Sequence, residues 1–264
     1  MKKILVAVLL FTALAYSAQS QQTVGIVTST SGSVTFRAIN DIEYKSINLS
    51  APMLCEIVSS LPVDIKLVEG DEGSIEISYP KQEEEWLDCR VMDGIRLIIA
   101  PKKDAMPKST VISPKTPIIV KLSTSKLRSI IATADMDLEV ECDRFHSWLQ
   151  IISNSTMSIV AESISADSKI EILSNSTSTY KVKHWNTNNL VITNMGFLLL
   201  DGSTTAKSIE HTSSGIDNIT LDVNCHKLDV TSIGSGTICY SGTADDVNIV
   251  SMGKATIRTS ELNK

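Results

Sequence analysis

Residues 228–238 read LDVTSIGSGTI and residues 247–257 read VNIVSMGKATI, a near-copy 19 positions further on. In each copy two apolar residues stand two apart, Leu228 and Val230 in one, Val247 and Ile249 in the other. That is the spacing of a short strand with one buried face. A glycine follows (Gly234, Gly253), where a missing Cβ eases a tight corner. A large apolar residue (Ile238, Ile257) then takes up the next strand.

Working back along the chain, the same unit starts at Leu127, Leu149, Ile170, Leu190, Ile209, Leu228 and Val247. Two positions after each start stand Ser129, Ile151, Ile172, Ile192, His211, Val230 and Ile249. Six after it come the corners Thr133, Ser155, Ser176, Gly196, Gly215, Gly234 and Gly253, with Gly236 as a further glycine of the sixth unit. Ten after it come Ile159, Tyr180, Leu200, Ile219, Ile238 and Ile257; the first unit has Asp137 there and Leu138 one place later. A unit of about 20 residues cannot bury its own inner face, so successive units must stack and turn each repeated position into a continuous column. The period predicts an all-β solenoid of about seven coils of 19–22 residues. Leucine-rich repeats have a similar period, but their Lxx-L-x-L-xx-N signature is missing.

Upstream the pattern is less regular. Residues 62–79 alternate as a hairpin around Glu69-Gly70-Asp71-Glu72-Gly73, and residues 86–99 as another around Met92-Asp93-Gly94. A proline-rich connection, 101–117, leads to a strand at 118–122. The expected organisation is a lead segment over 21–44, capping strands over 45–126 and solenoid repeats over 127–264.

Residues 1–20 read as a secretory signal: Lys2 and Lys3, an apolar run from Ile4 to Ala15, then Ala18-Gln19-Ser20. Without that leader, 22 Lys and Arg stand against 30 Asp and Glu, a formal charge of −8. An acidic chain lacks the basic footprint of a nucleic-acid partner, and no transmembrane anchor is expected. The location to expect is periplasmic, outer-surface or secreted. Five cysteines (Cys55, Cys89, Cys142, Cys225, Cys239) show no metal-binding spacing. A Cys55–Cys89 bridge is one reading in an oxidising compartment, and buried free thiols are the other.

No catalytic constellation emerges. Asp135, Asp137, Glu139, Glu141 and Asp143 alternate with apolar residues, so a strand would present all five on one face. Stacked carboxylates suit Ca²⁺, while a plain acidic face discourages edge pairing; the second reading carries more weight without a tight Gly-bearing loop. His146, His184, His211 and His226 have no metal spacing, and His211 falls on an inward position. His184-Trp185 reads as packing or as a ligand platform. No cofactor is expected beyond that candidate Ca²⁺ face. Lys181, Lys183, Lys207, Lys227, Lys254 and Arg258 are scattered among coils, which weakens a polysaccharide lyase, the enzyme this rod shape suggests.

Three stretches carry a family resemblance. They are Pro62-Val63-Asp64-Ile65 with Glu69-Gly70-Asp71, Asp93-Gly94-Ile95-Arg96-Leu97-Ile98-Ile99, and Gly234 to Gly242 followed by Asp245 to Ile249. Together they resemble the head GIN domain, an autotransporter-adhesin type of domain whose function is unknown, over roughly Tyr44 to Leu262. The resemblance implies a right-handed single-stranded β-helix of the pectin-lyase kind, bacterial export and an adhesive role. The chain departs from the family at its corners, since only Gly234-Ser235-Gly236 keeps the GSG form. The resulting expectation is a non-enzymatic envelope module that meets a cell-surface glycan or protein. A carbohydrate-active enzyme and a self-associating structural protein are the alternatives. The missing polar cap after Leu262 suggests homo-oligomers through the coil ends or sides.

Overall fold

The computed structural model describes residues 24–30, 33–39, 42–103, 117–142, 145 and 147–263. The expected leader, Asp143 and His146 lie outside them. The chain divides into two units, residues 1–42 and 43–264. In the first, β1 (Val24–Thr30) and β2 (Ser33–Ile39) form an antiparallel hairpin.

The second unit is almost entirely strand. It opens with β3 (Tyr44–Ser50), β4 (Glu56–Ser59), β5 (Val63–Leu67) and β6 (Ser74–Pro80). A short 3-10 turn at Lys81–Glu83 precedes β7 (Leu87–Met92), β8 (Arg96–Pro101) and β9 (Ile118–Ser123). The coils proper use β10 (Ser129–Ala132), β11 (Met136–Val140), β12 (Trp148–Ser153), β13 (Met157–Ser174) and β14 (Thr177–Asn194). They finish with β15 (Phe197–Thr205), β16 (Ser208–Ser213), β17 (Ile216–Ser232), β18 (Ser235–Ser251) and β19 (Lys254–Asn263).

Each full coil has three faces, and every face pairs in parallel with the same face of the next coil. On the first, Ile151 pairs with Ile172, Ile172 with Ile192, Ile192 with His211, His211 with Val230 and Val230 with Ile249. On the second, Leu138, Ile159, Tyr180, Leu200, Ile219, Ile238 and Ile257 form one column. The third runs through Ser163, His184, Ser203, Asp222 and Ser241. Side chains alternate in and out, so each coil sends its aliphatic residues inward, where coils about 4.8 Å apart keep them in contact. The solenoid and its period are as the sequence predicts.

The coils shorten one residue at a time, at identifiable places. Ala166 pairs with Thr187 but Lys169 with Asn189, so one residue is dropped at the corner after the third face. Val182 pairs with Gly202 but His184 with Ser203, which drops a second at Lys183. At the first corner, Ser176, Gly196, Gly215, Gly234 and Gly253 stack directly. A Cβ on Gly215 would lie 2.1 Å from the Gly196 carbonyl oxygen, and one on Gly234 2.0 Å from that of Gly215. Gly236 belongs to a different column, two residues on, and pairs with Asp217.

Two expectations need correction. Ile130, not Ser129, occupies the column of Ile151, so the first coil is one residue out of the sequence register. Leu127 is buried before the strand begins, in the crossing from β9 into the stack, so its burial reflects that crossing. Residues 62–79 do not pair as a hairpin either. β9 lies between β5 and β6, parallel to the first and antiparallel to the second. β4 and β5 instead form a coil of their own, in register with β10 and β11. β8 and β9 add a further layer outside it, and β7 and then β6 with β3 close that end by antiparallel pairing. The 86–99 hairpin does form, turning at Asp93 (φ 54°) and Gly94 (φ 71°). At the opposite end Val247, Ile249, Ala255, Ile257 and Leu262 are only half covered.

Candidate functional site

The third face turns back into the first through small residues: Ala166, Thr187, Ala206, Cys225 and Ala244, all buried. Small side chains let the backbone draw inward at this corner, and a groove enclosing about 640 Å³ lies over it. One wall is the outward column Ser165, Asn186, Thr205, Asn224 and Thr243, whose members pair coil to coil. Thr243 donates its hydroxyl to Asn224 Oδ1 at 3.3 Å. The other wall is Asn188, Lys207, His226 and Asp245, where the Lys207 amide donates a hydrogen bond to the Asn188 carbonyl and the His226 amide to that of Lys207. His226 Nδ1 lies 2.6 Å from Asp245 Oδ2. The volume falls within the range of ligand pockets.

Cys225 lies in the floor. Burial and then the Asp245 carboxylate push its thiol up to about 11, and a thiol is far less reactive than a thiolate. Cys89 is held at about 12, by burial first and then by Asp88 and Glu83. None of the five cysteines is joined in a disulfide; Cys55 and Cys89 are kept apart by β8, which pairs with both flanking strands.

A second depression of about 520 Å³ lies at the bend between the second and third faces. It brings Glu139, Glu141 and Glu162 together with Lys181, Lys183 and Asp201. Lys66 sits 2.7 Å from Glu141 and 3.4 Å from Glu139, and Lys183 sits 2.7 Å from Glu162. Lys66 thus serves two of these acids and Lys183 a third. Of the acidic run read from the sequence, Asp137 and Glu139 stand on the outer face of β11. Asp135 is at a corner, where its Oδ1 accepts from the Ser155 hydroxyl at 2.8 Å and from the Thr156 amide at 3.3 Å. Among the described residues no three His, Cys, Asp or Glu side chains gather as a metal site.

His184 is exposed, with Nδ1 2.7 Å from Ser203 Oγ, while Trp185 is buried, so the pair forms no aromatic platform. His211 is buried as expected, and it has company that sequence reading missed. Its Nδ1 lies 3.0 Å from the Tyr240 hydroxyl, and its Nε2 lies 3.6 Å from Asp217 Oδ2. Asn194 donates to Asp217 Oδ1 at 2.7 Å. Burial pushes the Asp217 carboxyl upward, but the neighbouring His211, Ser213 and Asn194 side chains outweigh it and hold the group below the usual carboxylate range. The signal lay in the columns: Asn194 interrupts a run of serines, His211 a run of aliphatics, and Asp217 follows Ser178 and Leu198 at an inward position. These departures fall in neighbouring coils, so they meet inside the rod.

Residues 163–264 match the family described as "Putative auto-transporter adhesin, head GIN domain". Over those residues the expected resemblance to the head GIN domain holds. Solved structures agree on the fold. A "putative adhesin" from Bacteroides fragilis superposes with a TM-score of 0.60 at 15% identity, covering 83% of this chain and 98% of that one. One from Parabacteroides distasonis gives 0.60 at 18%, covering 82% and 98%, and one from Parabacteroides merdae 0.59 at 15%, covering 82% and 96%. At these identities the likeness concerns the fold alone. No curated protein matches the chain in sequence. Among the described residues, no helix is long and apolar enough to cross a membrane.

Proposed function

We propose that this protein is an exported, non-enzymatic binding module of the bacterial cell envelope, acting as an adhesin acts, through its lateral surface. The observation that carries this reading is the groove over the small-residue corner, to which five successive coils each contribute polar side chains. Such a surface can grip an extended partner at many weak points, and its floor thiol is protonated. The family match and the leader-like residues 1–20 support export and surface contact. The test is adhesion of the purified chain to envelope preparations and intact cells, beside fractionation of the producing cell. Saturable surface binding and an envelope or secreted location are expected. A cytoplasmic protein that binds no surface would overturn the reading.

One observation favours a second reading. The depression at the other bend places Lys181 and Lys183 beside several carboxylates, as a β-eliminating polysaccharide lyase would need. Its glutamates are nevertheless paired with Lys66 and Lys183 rather than converging on a cation. Release of unsaturated uronate from an acidic polysaccharide, lost on Lys181→Ala, would favour the enzyme.

A further inference from the structure

We propose that the ligand of the groove is a linear, uncharged glycan lying along the solenoid axis. This rests on the binding-module reading above and adds the site and the ligand class. Three properties of the groove select such a ligand.

The first is chemical periodicity. Asn186, Thr205, Asn224 and Thr243 are all exposed and stand on consecutive coils, so amide and hydroxyl alternate about every 4.8 Å. A carboxamide donates and accepts, and so does a hydroxyl. Such a row matches a polymer that carries hydroxyls at short, even intervals along its own axis.

The second is charge. Lys207 and His226 share one wall with Asp245, and His226 is already engaged by Asp245. The basic and acidic groups offset each other, so the groove has neither the cationic row that a sulfated or uronic-acid polymer needs nor a run of acids for a basic one.

The third is the backbone. Through the groove the β14, β15 and β17 strands, and β18 as far as Thr243, are hydrogen-bonded on both sides by neighbouring coils. A peptide therefore cannot add as a strand here, the usual way an extended peptide gains its main-chain bonds. The floor is built of small side chains, Ala166, Ala206 and Cys225, and the exposed apolar residues Met195, Ile216, Ile233 and Met252 stand at the first corner, away from it.

The experiment is a glycan array with the full chain, holding neutral linear hexasaccharides (cellohexaose, xylohexaose, mannohexaose), acidic polymers and unstructured peptides, followed by calorimetric titration of the hits. The wild type, the double variant Asn186→Leu/Asn224→Leu and the control Asp201→Asn at the other bend are compared. Binding to neutral linear glycans that falls at least about tenfold in the double variant alone is the expected result. Neutral-glycan binding that survives the double variant would overturn the site. Binding of acidic glycans or peptides only would overturn the ligand class while leaving the adhesive reading intact. A null array with cell-surface adhesion retained does the same, whereas loss of both means the binding-module reading itself is wrong. Should the leucines disturb folding, Thr205→Val with Thr243→Val removes hydroxyls at nearly constant volume, and Thr205→Ser with Thr243→Ser should restore binding.

Discussion

At Gly215 the stacked corner leaves no space for a side chain, because a Cβ would sit 2.1 Å from a backbone oxygen rather than from a side chain able to move. Gly215→Ala must therefore push two coils apart locally, at a cost of about 1–3 kcal/mol, the usual scale for overpacking. Urea denaturation should show a lowered midpoint with an unchanged slope. Inside the rod, His211 and Asp217 stabilise each other, since either alone would be a buried polar group missing a partner. Truncating one, as in His211→Leu, should cost about 3–5 kcal/mol, and replacing both with Leu clearly less than the sum. The Asp217 carboxyl titrates lower in the folded chain than in the unfolded one. Its contribution is thus fully present above the unfolded carboxylate range and is lost as pH falls through the depressed folded value. The acid limb of the stability profile should flatten in Asp217→Asn, which circular dichroism melts against pH would reveal. His211's inward place was legible in the sequence because its column was. Asp217 and Asn194 could be read only once all columns were set side by side, since each alone looks like an ordinary turn residue.

Individual strands were easier to read than their partners. Alternation over 63–67 and 75–77 marks two half-buried strands, and both exist, but alternation says nothing about which edge each strand meets. The short linker between them suggested a hairpin, whereas β9 enters between them from 40 residues downstream. The repeat similarly hid its own beginning. β4 and β5 are a coil in register with β10 and β11, but 73 residues separate Glu56 from its partner Ser129, a gap that no search for a 20-residue period would bridge. The cap strands have their own titrating group. Burial pushes Glu83 up to about 7, so it takes up a proton between the unfolded carboxylate range and neutrality. Its charged form costs stability, a cost that grows as pH rises from about 4.5 to 7 and then levels off. Glu83→Gln should consequently stabilise the protein at pH 8, by about 1 kcal/mol after solvent screening, and change little at pH 4. Thermal melts at the two pH values would check this; equal effects at both would contradict it.

Across the whole molecule the two ends of the stack differ. One is closed by antiparallel strands, while at the other, among the described residues, β19 pairs only with β18 and its inward residues are half covered. Hydrogen exchange should be slowest for interior coils such as 189–223 and fastest over 246–263, because only neighbours on both sides protect a coil fully. Equal protection at the last coil would mean that something covers it. The groove was less legible in the sequence than the coils. Its walls are outward positions that the repeat does not constrain, and its concavity comes from the sizes of Ala166, Ala206 and Ala244, which look unremarkable singly.

The account's central claim is that a ligand lies along that groove and so touches many coils at one repeated position. Hydrogen–deuterium exchange on the full chain with and without cellohexaose tests it most directly. The predicted result is a periodic footprint, with slowed exchange around 165–168, 186–188, 205–207, 224–226 and 243–245 and little change between. Protection confined to one coil, or centred on 139–142 and 160–163 at the other bend, would contradict it.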